Sequence, residues 1–292
     1  LFLLWLLLFL SALIPNDMIR DNMEQSALSY KERTAFEFTD GKKLNSVADH
    51  YADSIWLNVS WNMGEDSPLI SSIRTNYYDG GELGVNAGLY LSVTQGTEPN
   101  KDYTRYWHGT VMFIRLGHLI TDVEGVKLIG FIAFLLLVGL TIFILARKRH
   151  WDLAVILALS LAAVQIWNIR LSMEYQPAFI LAFVLVPLFL ILERRDDKWL
   201  TILSVVSGTA VAFFDFLTTE TVTILLPLAL VVAVRAKENR LGSLKENLLL
   251  LLKCGICWGF AYGGAFIVKW LIASIVTGEN SFSLALNSAE MH

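Results

Sequence analysis

The stretch VKLIGFIAFLLLVGLTIFILA, Val126–Ala146, decides the fold. As a helix it rises about 30 Å, the thickness of a bilayer's hydrocarbon core. Arg147, Lys148 and Arg149 close it. Similar apolar runs follow at Trp151–Trp167, Ala178–Leu192, Trp199–Phe216, Leu217–Val234 and Gly255–Thr277, the last preceded by the leucine-rich Leu248–Leu252. The chain opens in another, Leu1–Ile14, which reads as a truncated first span or as the apolar core of a signal peptide. With 292 residues, 55% of them hydrophobic, and a mean hydropathy of +0.53, the expectation is all-α: a polytopic transmembrane helix bundle of about seven spans. The chain also reads as a piece of something longer.

Charge gives the orientation. Residues 15–125 carry 16 acids against 9 bases, while the rest of the chain is net basic. The basic residues after residue 125 gather in alternate loops: Arg147–Arg149, then Arg194, Arg195 and Lys198, then Arg235, Lys237, Arg240 and Lys245. The positive-inside rule places those loops in the cytoplasm. The 15–125 loop, the 168–176 loop and the 215–220 turn then share the outer side. Three parts follow: 1–14 a first span, 15–125 an extracytoplasmic loop with amphipathic helices, and 126–292 the bundle. An acidic loop beside short basic ones is a topology signal and gives no reason to expect nucleic acid.

Within the long loop, Ile19, Met23, Ala27 and Tyr30 fall at helical spacing and predict a helix over 18–33 that suits the membrane surface. Val47, Tyr51, Ile55 and Val59 predict a second over 47–61, with Asp49 and Asp53 on one face of it. The Gly-, Asn- and Asp-rich residues 62–102 read as irregular loop. His108–Thr121 is again amphipathic.

Several residues carry candidate chemistry. Asp53, with Asp49 beside it, is the expected general base, because a sugar hydroxyl acceptor needs a carboxylate; a solvated helix face is the plain alternative. Asp17 directly follows the first span and is a second candidate base, or an ordinary helix cap. In Tyr103–Gly109, Arg105 offers phosphate donors, His108 an acid/base or metal-binding group, and Tyr106 and Trp107 ring faces. A simple aromatic belt explains the rings alone. Lys269 stands deep in the last span, where a lipid-phosphate contact or snorkelling explains it. Arg170, Glu174, Asp215 and Glu220 crowd the outer span ends and predict a polar cavity there, roofed by the long loop. A divalent metal is compatible with these acids. Cys254 and Cys257 form a C-x-x-C inside a span, where packing is the expected role. Asn58-Val59-Ser60 has the form of a glycosylation sequon. No Walker A, dinucleotide loop, H-E-x-x-H or G-x-S-x-G motif occurs, which removes support for ATP-driven transport and serine hydrolysis.

The segments Asp49–Asn58, Arg105–Gly109, Phe214–Thr219 and Gly259–Gly264 resemble a family of uncharacterised multi-span membrane proteins of Gram-positive-type bacteria. More distantly, the layout resembles the C-type (GT-C) glycosyltransferase superfamily, in which a first span is followed by a large outer loop with membrane-parallel helices and then many spans. That resemblance implies a polyprenyl-phosphate sugar donor, an acidic residue in the first outer loop, an envelope glycan or lipid acceptor, membrane lipids as surroundings, and a bacterial plasma membrane. This sequence lacks the adjacent Asp-Glu pair of better-known members; Asp17 stands alone in Pro15-Asn16-Asp17-Met18. The competing readings are a transporter or flippase for an envelope lipid and a structural membrane partner.

Overall fold

The computed structural model describes residues 1–41, 46–64, 67–214 and 217–290, with side chains to Ala285. Helix makes up 72% of it and strand very little, as an all-α chain requires. The helices are α1 (Phe2–Ala12), α2 (Asn16–Tyr30), α3 (His50–Asn62), α4 (Pro68–Ser71), α5 (Gly84–Gln95), α6 (Val111–His118), α7 (Val123–Arg147), α8 (Trp151–Ala163), α9 (Gln176–Leu192), α10 (Lys198–Phe214), α11 (Val222–Lys237), α12 (Leu244–Thr277) and α13 (Ser281–Glu290). Two short antiparallel ladders join β1 (Phe36–Phe38) to β2 (Val47–Asp49) and β3 (Asn76–Tyr77) to β4 (Lys101–Asp102).

Among the described residues, α7 and α12 are the two helices long and apolar enough to cross a membrane. The apolar runs at Trp151, Ala178 and Trp199 form shorter helices of 13, 17 and 17 residues. Their bounds differ from the sequence expectation for local reasons. The run from Trp151 stops at Ala163 because Gln165 takes a positive φ of 53° and a 3-10 turn, Ile166–Leu171, follows. Of the runs expected to meet at Phe216–Leu217, the described helices span Lys198–Phe214 and Val222–Lys237, and Leu217 has a φ of 63°. Conversely, Leu248–Leu252 belongs to the same unbroken 34-residue helix as Gly255–Thr277.

The chain divides into two compact units. One is Gly130–Arg170 with Tyr175–Gly264. Here α9 is apolar on every side and packs against both α10 and α11. Phe134, Phe183, Val186 and Val234 centre one cluster, and Phe189, Leu200, Val231 and Cys254 another. Cys254 is therefore a packing residue, and both cysteines are free. Gly208 lets α10 approach α12 closely, since a Cβ there would run into the Trp258 carbonyl.

The other unit is Leu1–Ile129 with Leu171–Glu174 and Ala265–His292. The periodicity over 18–33 is borne out: Ile19, Met23, Ala27 and Tyr30 are all fully buried on α2. Its axis turns 87° from α1 at Leu13–Pro15, because Pro15 cannot continue the α1 hydrogen-bond ladder. The second expected helix is corrected. Val47–Asp49 is strand, α3 begins at His50, and all but Tyr51 of its 13 residues are buried. Its polar residues are core groups rather than a wet face, and several pair inside the fold. Ser54 donates to Asn86 at 2.8 Å, and Asn58 exchanges two hydrogen bonds with the Tyr78 backbone. The sequon at Asn58 is thus enclosed and cannot be glycosylated in the fold. Residues 62–102 also need correction, because α5 lies among them. Val85, Leu89, Ser92 and Val93 give it a buried face against α2 and α3, while Gly84, Asn86 and Gly88 disguise it as loop in the sequence. Gly88 is required where α5 crosses the Tyr78–Gly80 backbone, since a Cβ would lie 2.6 Å from the Tyr78 carbonyl oxygen.

Arg115, on α6, is fully buried. Its guanidinium donates to the Ser11 carbonyl at 3.1 Å, the Asn16 side-chain oxygen at 3.2 Å, and the carbonyls of Ile14 and Ser60. Those carbonyls end α1 and α3, where helices leave acceptors unmet. Arg115→Leu should strand those of Ile14 and Ser60, while that of Ser11 keeps the Ile14 N–H at 3.2 Å. At about 1–3 kcal/mol for each unmet buried group, thermal unfolding in detergent should show a loss of about 3 kcal/mol or more. A melting temperature equal to wild type would show that the fork holds nothing.

Candidate functional site

Asp53 is fully buried in the first turn of α3. Four donors converge on its carboxylate. Oδ2 accepts from the Tyr30 hydroxyl at 2.8 Å and faces Lys127 Nζ at 3.5 Å. Oδ1 accepts from Ser172 Oγ and the Met173 N–H, both at 2.7 Å. Lys127 also donates to the Tyr30 oxygen at 2.9 Å and pairs with Glu124 at 3.1 Å. Burial, and then the neighbouring Asp53 charge, raise the Tyr30 phenol well above its usual range. A carboxylate with both oxygens satisfied inside the protein has no lone pair directed at a substrate. The expectation that Asp53 is an accessible base is therefore corrected: it is a buried lock. The sequence does not single out Tyr30, Lys127, Ser172 or Arg115 as hydrogen-bonding groups, although Lys127, inside the apolar run Val126–Ala146, is a visible signal.

Asp49 is also corrected. It lies outside the helix as the N-cap of α3 and accepts from the Ala52 N–H at 2.8 Å. Burial, the largest influence, raises its carboxyl, against bonds from Ala52 and from the Glu174 side chain. The fold thus gathers Asp49, Asp53 and Glu174 at one end of α3. His108 does not join them. It has a left-handed φ of 53°, uncommon outside glycine, and packs among Tyr103, Tyr106 and Trp56 rings at 4.9, 5.8 and 6.1 Å. Its Nε2 donates to the Tyr103 carbonyl at 3.1 Å. Burial holds the imidazole down to about 3, so it is neutral near pH 7 and carries no acid/base role there. Among the described residues no three His, Cys, Asp or Glu side chains gather to hold a metal ion.

Trp107 and Lys269 are interior groups, where the sequence suggested a membrane belt and a lipid contact. The Trp107 indole donates to the Ala265 carbonyl at 2.9 Å. Lys269 is fully buried, donates to the Ile73 carbonyl and lies 5.2 Å from the Trp107 ring centroid. It cannot reach lipid. Arg105 and Tyr106 remain half-exposed, the guanidinium 4.6 and 4.8 Å from the Tyr103 and Tyr106 ring centroids. Asp17 is 86% exposed, and one carboxylate oxygen accepts from Arg20 at 2.8 Å. It makes no cap bond, because Pro15 is the N-cap residue of α2.

In the unit holding α8–α11, Arg170 is exposed at the end of its 3-10 turn. Glu220 accepts from the Tyr262 hydroxyl at 3.4 Å and lines an open groove of about 600 Å³ with Thr218, Thr219, Thr221 and apolar residues of α11. Asp215 lies outside the described residues. No protein-family model matches this chain, and no curated protein and no solved structure proves similar to it.

The Asp53–Lys127 pair predicts a strong coupling. Removing one partner of a buried ion pair typically costs about 3–5 kcal/mol. Asp53→Asn and Lys127→Met should each destabilise by roughly that amount, while the double variant should fall well short of the sum. Additive losses in thermal or denaturant unfolding would show that the two groups do not interact. His108 predicts a pH dependence. An unfolded histidine gains a proton near pH 6.5, whereas folded His108 waits until about 3. Its neutral packing therefore stabilises above pH 6.5, and that contribution is lost as pH falls from 6.5 towards 3. His108→Gln should flatten the acid limb of the stability profile; an unchanged slope would contradict the assignment.

Proposed function

We propose that this chain is a multi-pass membrane glycosyltransferase that takes sugar from a polyprenyl-phosphate donor at the outer face of a bacterial plasma membrane and passes it to a cell-envelope glycan or lipid. The reading combines the layout of apolar runs, the alternation of basic loops and the likeness to the C-type superfamily. One observation carries it. An apolar helix turns through 87° at Leu13–Pro15 into a polar helix that exposes Asp17 in its first turn. A carboxylate at that corner stands where a membrane-embedded donor and a water-borne acceptor meet.

Asp17 takes the role the sequence suggested for Asp53. One of its oxygens is held by Arg20, whose guanidinium rests 5.3 Å from the Trp61 ring centroid; the other is open for an acceptor hydroxyl. As that hydroxyl attacks the anomeric carbon, its proton passes to Asp17. The bond between the anomeric carbon and the phosphate oxygen breaks, and polyprenyl phosphate leaves with the bonding pair. Asp17 acts as general base, worth about 10²–10⁴-fold.

The test is sugar transfer by the full chain in proteoliposomes containing a polyprenyl-phosphate donor with radiolabelled sugar. Asp17→Asn should lower transfer by about 10²–10⁴-fold and leave the melting temperature near wild type, because the side chain is exposed. Asp21→Asn, one turn along α2, should stay within a few-fold. Full transfer by Asp17→Asn, or no transfer by wild type with any such donor, would overturn the proposal.

A further inference from the structure

The surface beside the start of α3 carries more aromatic rings than its packing explains. Phe36 and Tyr51 stack with centroids 6.2 Å apart and planes 19° apart, and both are exposed, at 54% and 42%. Tyr77, Tyr103 and Tyr106 form a second run of edge-to-face contacts at 5.6 and 5.3 Å. That run lies against the helix that carries Tyr51, since Trp56, also on α3, meets His108 at 6.1 Å and His108 meets Tyr103 at 4.9 Å. Arg105 lies on the run, over Tyr103 and Tyr106. Its backbone is fixed, since its carbonyl accepts from the Trp270 indole at 2.9 Å. Among the described residues no carboxylate or carbonyl oxygen stands within hydrogen-bond distance of its guanidinium. Beside Tyr51, Asp49 caps α3, and Glu174 directly follows Met173, whose N–H binds Asp53 in the same first turn.

These features call for different parts of one ligand. Exposed ring faces suit the C–H face of a pyranose. A guanidinium that is stacked on rings but keeps its N–H fork open suits an oxyanion, which it grips with two parallel bonds. A carboxyl pair suits sugar hydroxyls. A headgroup belt explains rings near a bilayer, but it gives no use for a carboxyl pair at their edge.

We propose that this shelf is an acceptor subsite for an acidic saccharide, a sugar of the envelope glycan that carries a carboxylate or phosphate. The sugar ring lies on Tyr51 and Phe36, Arg105 holds the oxyanion, and Asp49 and Glu174 take hydroxyls. Its place in the reaction rests on the glycosyltransferase reading, whereas binding is measured without turnover, so the two fail separately.

The experiment is saturation-transfer NMR on the full chain in detergent, titrated with glucose, glucuronic acid, glucose 6-phosphate and inorganic phosphate. The two acidic sugars should bind about tenfold or more tighter than glucose, as expected for a hydrogen bond to a charged group, and inorganic phosphate should bind weakly. Arg105→Gln should bring the acidic sugars to the level of glucose. Arg105→Lys keeps the charge but loses the fork, and should fall between. Tyr51→Ala should weaken all three sugars, and Asp21→Asn none. Melting temperatures confirm that each variant is folded. Unchanged sugar binding by Arg105→Gln would overturn the proposal. So would inorganic phosphate binding as tightly as glucose 6-phosphate. A loss confined to phosphatidylglycerol nanodiscs would make Arg105 a headgroup contact and would also overturn it.

Discussion

The Arg115 fork is the constraint on which the unit around α3 depends. The turn after α1 leaves the Ser11 and Ile14 carbonyls pointing inward, and the end of α3 leaves that of Ser60. Carbonyls at helix C-termini carry partial negative charge, and three of them meeting away from water would repel. One guanidinium from α6 answers all three and also fixes Asn16 at the start of α2. Arginine suits this better than lysine because its planar fork directs several N–H bonds from one rigid group. The corner at Leu13–Pro15 and the position of α3 are thus set by the same side chain.

With those elements held, the Asp53 nest can form. It joins α2 through Tyr30, α3 through Asp53, α7 through Lys127, and the short segment Ser172–Met173. A buried carboxylate is costly unless its charge and lone pairs are all answered, and here they are. The nest therefore specifies one arrangement of distant chain segments. Other charged groups are treated differently. Among the described residues, Asp17 keeps an open oxygen at the surface, and Arg105 keeps an open N–H edge on its ring faces. The difference between a lock and a candidate reactive group lies in whether its hydrogen-bonding capacity is filled from within the protein.

Parts of this were legible in the sequence. The apolar run at Val126–Ala146 and the buried set Ile19, Met23, Ala27 and Tyr30 are local patterns, so they survived folding. The helix at Gly84–Gln95 was hidden because its glycines serve close backbone crossing, and glycine carries no hydrophobic period. Asp49 and Asp53 looked like one helix face, but strand pairing between Phe36–Phe38 and Val47–Asp49 takes Asp49 out of the helix. The aromatic cluster at Tyr103–Gly109 stood out correctly as unusual, yet it split. Trp107 and His108 went to the interior, while Arg105 and Tyr106 stayed at the surface.

The sequence by itself determined that this is a largely helical chain with helices suited to a bilayer. That follows from composition over 20 or so consecutive residues, because a helix meets its own backbone hydrogen bonds whatever lies around it. Only the tertiary structure decided what the charged residues do. Asp53 and Ser172 meet across 119 positions, and Lys269 reaches Ile73 across 196. No local pattern encodes such a pairing. Whether a carboxylate, guanidinium or ammonium is a lock or is open to a ligand depends on partners that folding alone brings near.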